Sequence, residues 1–164
     1  MTRQKDLEMK GYEFLISKKY DMAERLLLQA LDAKDDNPVD RHFVYNHLID
    51  LYYKMRDVRK DALEKCVLFC RADIERLPTF LHQYRDVEGE SAPDCPSVER
   101  LAIILEKHGE LQGAIELCKR AIELGLDVRW DWYNAQYGTN KGYKARIQKL
   151  EKKMTSQKRE GAKK

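Results

Sequence analysis

The chain of 164 residues is 36% charged and 43% hydrophobic, with four Pro and eight Gly, a composition that suits one helix-rich domain with a sizeable core. No apolar run approaches bilayer-spanning length and the opening Met1–Asp6 segment has no apolar signal, so no membrane partner and a cytoplasmic location are expected. The net charge of +3 hides an asymmetry, because residues 141–164 hold ten Lys or Arg against two Glu and the remainder is mildly acidic.

Residues 4–36 read as a helical hairpin. Leu7, Gly11, Phe14 and Leu15 share one helical face, Lys18–Tyr20 makes the turn, and Ala23, Leu26, Leu27, Ala30 and Leu31 follow at helical spacing. Gly11 sits in mid-helix, where it costs roughly 1 kcal/mol relative to Ala. A neighbouring helix packed too closely for a side chain accounts for that cost. Asp35, Asp36, Asn37 and Pro38 then end the helix and turn the chain.

A second hairpin fills 39–76, with Leu48, Ile49 and Tyr52 in its first helix, Met55–Val58 in the turn and Ala62, Cys66, Phe69 and Cys70 in its second. An insert at 77–95 follows. Its first half, with Phe80, Leu81 and Tyr84, predicts a short helix, and its acidic second half, with Gly89, Ser91 and Pro93, an exposed loop. A third hairpin occupies 96–125, with Leu101, Ile104 and Leu105 before the His108–Gly109 break and Leu111, Ile115, Ala121 and Ile122 after it. Residues 126–154 hold the aromatic cluster Trp130, Trp132, Tyr133 and Tyr137, then Tyr143, Ile147, Leu150 and Met154 at amphipathic spacing. These rings either form a second contact site or glue this last helix to the third hairpin, and the second role is the expected one. Residues 155–164 are expected to be a disordered basic tail.

The three hairpins share a register. The close-packing positions of paired helices are 12 residues apart from Gly11 to Ala23, 12 from Ala102 to Ala114, and 13 from Ile49 to Ala62. Gly11 with Phe14, Ala23 with Leu27, Ala62 with Cys66, and Ala102 with Leu105 resemble the tetratricopeptide repeat (TPR), a helix–turn–helix unit of about 34 residues. The copies are spaced more widely than that, at 38 residues from Gly11 to Ile49 and 53 from Ile49 to Ala102. The resemblance implies an all-α fold in which antiparallel hairpins stack as a short TPR-like α-solenoid of about three repeats. A C-terminal capping helix covers the last one, as repeat arrays require. The whole of 1–154 is expected to form a single domain.

Chemistry-bearing patterns are sparse. There is no H-E-x-x-H, no G-x-S-x-G and no Gly-rich phosphate loop, so an enzyme is not expected and no cofactor is implied. Cys66 and Cys70 are four apart on one helix as metal ligands can be, but Cys66 and Cys118 take the inward position that Leu27 fills, so burial is expected and metal binding is not. Cys95 precedes Pro96 at a helix start, where a thiol is either reactive or an inert cap.

The resemblance places a ligand groove on the first helices of successive hairpins. Residues expected to line it are Glu8, Met9 and Tyr12, then Asn46, His47, Asp50, Tyr53 and Lys54, then Glu99, Arg100, Ile103 and Lys107. Amides, aromatic rings and both charge signs suit an extended peptide, with Asn46 holding its backbone. Glu8 and Asp50 oppose an acidic peptide tail. The expected function is a non-enzymatic adaptor whose partner is another protein or a peptide segment. The alternatives are nucleic-acid association through the basic C-terminal segment and self-assembly as a homodimer.

Overall fold

The computed structural model describes residues 1–88 and 92–164, with side chains from 86 to 88 omitted. Eight α-helices, and no strand among the described residues, run in the order α1 (Arg3–Ile16), α2 (Tyr20–Leu31), α3 (Pro38–Met55), α4 (Ala62–Glu88), α5 (Pro96–Lys107), α6 (Leu111–Glu123), α7 (Val128–Tyr137) and α8 (Tyr143–Ala162). The expected all-α class and the three hairpins are present. The chain divides into two compact units, Met1–Glu90 and Ser91–Lys164, where the sequence pattern suggested one.

In the first unit α1 pairs with α2 and α3 with α4, while α3 also packs on α1 and α2. The core includes Leu15, Ala23, Leu27, Leu48, Ile49, Tyr52, Cys66, Cys70, Leu77 and Phe80. Gly11 is buried against α2, and an ideal Cβ there would stand 2.7 Å from Leu27 Cγ and 2.8 Å from Cδ2. The close approach inferred from the mid-helix glycine is therefore real. The α1–α2 turn closes with Lys18 N–H donating to Leu15 O and Lys19 N–H to Phe14 O, which puts Lys18 at φ 60°. Gly109 makes the same turn between α5 and α6 at φ 77°, with Glu110 N–H donating to Leu105 O. Glycine takes that left-handed conformation without the steric cost that Lys18 bears. Asn37, read as a helix stop, is instead the cap that starts α3: its Oδ1 accepts the N–H groups of Val39 and Asp40, and Pro38 takes the first-turn position that needs no donor.

Two boundaries differ from expectation. The insert does not begin at Leu77, because α4 continues through Pro78 to Glu88. A proline within a helix cannot bond to the carbonyl four residues back and costs about 3 kcal/mol. Burial of Leu77, Phe80 and Leu81, with the Phe80 ring stacked 3.7 Å from that of His42, outweighs the break. Of the expected exposed loop, residues 85–88 belong to α4 instead, and residues 89–91 lie outside the described residues. The C-terminal tail is not disordered from Thr155, since α8 runs to Ala162. With no proline to stop it, the backbone ladder propagates beyond the last packed turn.

In the second unit α6 packs against both α5 and α8. The expected capping helix is α8, which buries Ala145 and Leu150 while Tyr143, Ile147 and Met154 are half-buried. The buried Asp127 carboxylate fixes its start, accepting the N–H of Tyr143 at 2.7 Å and of Lys144 at 3.1 Å. Arg146 lies 3.8 Å from Glu99 and 3.6 Å from Glu106 on α5, and Lys153 lies 3.5 Å from Glu106. The aromatic segment does not act as glue: α7 has no buried residue, and Trp132 is 65% exposed.

Candidate functional site

The best-built surface of the first unit lies where α1 crosses α3. Residues 5, 8, 9 and 12 follow one face of α1 by helical periodicity, and 43, 46, 47 and 50 follow one face of α3. Glu8, only 4% exposed, is the hub. Its Oε1 accepts from His47 Nε2 at 2.8 Å, and its Oε2 lies 2.7 Å from Lys5 Nζ. Burial pushes the Glu8 carboxyl up, but His47 and Lys5 together outweigh that and hold it below the ordinary carboxylate range. Tyr12 stacks on the His47 ring with centroids 4.5 Å apart. Lys5 also lies over the Phe43 ring at 5.4 Å. The outcome is an aromatic platform: Tyr12 is 45% exposed and its neighbour Met9 46%, with the ring fixed from below by an imidazole that a buried carboxylate orients.

A second polar chain runs beneath it. Asn46 Nδ2 donates to His42 Nε2 at 3.1 Å, and His42 Nδ1 donates to Asp73 Oδ1 at 2.7 Å, with His42 and Asp73 both buried. Asn46 Oδ1 is buried without a partner. Its amide is thus committed inward, and the backbone-holding role expected of it is not available in this conformation. Lys5, His42, Phe43 and Asp73 were missed by the sequence reading. The signals present were the four-residue spacing of His42 and Asn46 and an acidic residue, Asp73, on the apolar face of α4.

Among the remaining expected residues, Asp50 and Lys54 pair with each other at 2.6 Å, and Tyr53 carries the Arg56 guanidinium over its ring at 4.1 Å. Glu8, Tyr12 and His47 are brought into contact. Glu99, Arg100, Ile103 and Lys107 belong to the second unit: Glu99 and Lys107 are exposed there, while Arg100 and Ile103 are half-buried.

All four cysteines are free and buried. The Cys95 Sγ lies 3.7 Å from Pro93 O, so the accessible thiol its position suggested is absent. Burial pushes the Cys118 thiol up to about 11. Among the described residues no group of three or more His, Cys, Asp or Glu side chains is arranged to hold a metal ion. No helix among them is long and apolar enough to cross a membrane. A cavity of about 480 Å³ in the second unit opens between the start of α5 and the start of α8, lined by Cys95, Glu99, Arg129, Trp130, Tyr143 and Arg146 among others. Burial pushes the Tyr143 phenol well above its ordinary range.

No protein-family model matches the chain, and no solved structure matches it. A protein of Aquifex aeolicus (strain VF5), described as an uncharacterized protein, is 29% identical over 97 residues, which are 59% of this chain and 45% of that protein. The chain therefore spans less than half the length of that relative.

Proposed function

We propose that the chain is a non-enzymatic adaptor of TPR-like architecture that binds a segment of another protein on the face formed by α1 and α3. The observation that carries this reading is the Tyr12–His47 stack. A half-exposed ring normally keeps rotational freedom, which a ligand must remove at a cost. Here the Glu8–His47 hydrogen bond orients the imidazole beneath Tyr12, so a peptide side chain meets a ring already held in place. Met9 adds adaptable apolar surface beside it. The Asp50–Lys54 pair on α3 supplies part of the polar rim that such interfaces need.

The test is selection of peptides from a displayed random library against the full chain, followed by titration of the winners against wild type and Tyr12→Ala/Met9→Ala. Both side chains are exposed, so the variant is expected to fold. Loss of the anchors should weaken binding by about tenfold or more, the scale of an interface hot spot. Selected peptides that bind the variant as well as wild type would remove α1 and α3 from the binding surface.

A further inference from the structure

We propose that α7 and α8 form a binding surface for a single nucleic-acid strand, separate from the α1–α3 face. The starting point is an anomaly. Helix α7 carries two Trp and two Tyr in ten residues, yet none of the ten is buried. Trp132 is 65% exposed and Tyr137 60%. Aromatic rings are the side chains that gain most from leaving water, so such a cluster on the surface marks a contact site.

The rings form a connected row. Trp130 and Tyr133 lie 5.6 Å apart, Tyr133 and Tyr137 4.7 Å, and Tyr137 and Trp132 6.5 Å between centroids. Cations are interleaved with them, the Arg129 guanidinium 4.8 Å from the Trp130 ring and Lys141 Nζ 5.1 Å from that of Tyr133. Polar anchors, rather than ring packing, hold the row in place. Asp127 caps α8, Lys144 pairs with Asp131 at 2.9 Å, and the Asn134 side chain accepts from Lys141 N–H and donates to Lys141 O. Trp130 and Tyr133 are half-buried within this frame, and Trp132 and Tyr137 are left open to solvent.

Charge identifies the occupant. Residues 126–164 hold eleven Lys or Arg against four Asp or Glu. Lys149, Lys152, Lys158, Arg159, Lys163 and Lys164 are all exposed and make no ion pair among the described residues. No residue of α8 beyond Leu150 is buried, so its last turns are an exposed, strongly cationic helix, while Arg129, Lys141 and Lys144 place positive charge beside the rings themselves. Stacking platforms next to a positive track are what an unpaired strand needs, since its bases are free to stack and its phosphates to neutralise lysines. A duplex hides its base faces and gains from the cations alone. An acidic peptide would use the charges but leave the four rings without a matching partner.

The experiment measures fluorescence anisotropy of labelled oligouridine, oligothymidine and a duplex of the same length with the full chain at two salt concentrations. It compares wild type with Trp132→Ala/Tyr137→Ala and with Lys158→Gln/Arg159→Gln/Lys163→Gln. All five side chains are exposed, so both variants should keep the wild-type circular dichroism spectrum. The aromatic variant should bind single strands about 5- to 100-fold more weakly and change duplex binding less than about twofold. The charge variant should weaken both and flatten the salt dependence. Equal binding of strand and duplex that ignores the aromatic variant would overturn the proposal, as would absence of binding to any oligonucleotide. A wild-type dimer that the aromatic variant makes monomeric, without oligonucleotide binding, would assign the rings to a second copy of the chain instead. Tyr12→Ala serves as the control in the other unit and should leave oligonucleotide binding unchanged.

Discussion

Replacing Gly11 by alanine should destabilise the first unit, although alanine is the better helix former. Two effects oppose each other. Removing a glycine from a helix interior gains roughly 1 kcal/mol. The new methyl carbon would stand 2.7 Å from Leu27 Cγ and 2.8 Å from Cδ2, whereas apolar carbons rest at about 3.5–4.0 Å. Leu27 is fully buried and protein interiors are close-packed, so the methyl acts as an overpacked atom costing about 1–3 kcal/mol. The net loss is then up to about 2 kcal/mol, the difference of those two contributions. Gly113 in α6 supplies the control, because its nearest neighbour, Leu105 Cδ1, would be 3.7 Å away in ordinary contact. Gly113→Ala should show the helix gain alone, roughly 1 kcal/mol. Urea unfolding followed through resolved amide resonances of α2 and α6 reads each variant in its own unit. A double-mutant cycle isolates the clash: Leu27→Ala alone should cost about 2–5 kcal/mol, and less in the Gly11→Ala background, where the new methyl fills part of the space. Gly11→Ala stabilising as much as Gly113→Ala, or an additive cycle, would show that α1 and α2 do not meet closely at this point.

Pro78→Ala should stabilise the first unit by up to about 3 kcal/mol, since it restores a helix hydrogen bond at an exposed position while leaving Leu77, Phe80 and Leu81 in place; an unchanged urea midpoint would mean α4 bends around the proline at no cost. Asp127→Ala should cost about 0.5–2 kcal/mol by orphaning the Tyr143 and Lys144 N–H groups, with hydrogen exchange at those two amides rising before that in mid-α8. Acid should weaken the first unit through Glu8. Its carboxyl is depressed from the ordinary 4.5 in the folded chain, so its stabilisation is present above that value and lost as pH falls through the folded one. Glu8→Gln should therefore flatten the stability profile between neutral pH and the acid limb, and an unaltered slope would show that the Glu8–His47–Lys5 cluster does not carry the effect.

What the sequence made legible follows from the range over which each signal acts. The start of α5 at Pro96 and the turns at Lys18 and Gly109 depend on residues within one helical turn, and local pattern finds them, whereas Asn37 reads equally as the stop of α2 and the cap of α3. The span of α4 is not set locally. Pro78 and the acidic run after it read locally as a break, whereas the helix persists because Phe80 reaches His42, 38 residues earlier. Local propensity is worth a few kcal/mol at most at such a point, and a buried aromatic stack can reverse it. The extension of α8 past Thr155 failed for the opposite reason. Its residues beyond Met154 are all exposed, and a cationic terminal segment reads as coil although residues such as Gln157, Lys158, Arg159 and Glu160 are good helix formers.

The candidate sites expose a deeper asymmetry. Periodicity assigns a side chain to a face of its own helix but says nothing about what the next helix presents to that face. Glu8 was placed on the ligand side of α1, and it does lie on the side that meets α3, yet His47, 39 residues away, has already claimed its carboxylate. The ligand-ready group there is Tyr12, which Glu8 serves through His47. Asn46 shows the same inversion, its amide turned to His42 and not outward. On α7 hydrophobicity implied burial of Trp132 and Tyr137, but Asp127 and Asn134 anchor that segment through polar bonds and release the rings to water. A ring's hydrophobicity states that it has a partner to find; whether the partner is in the chain depends on which neighbouring residues have already fixed the backbone.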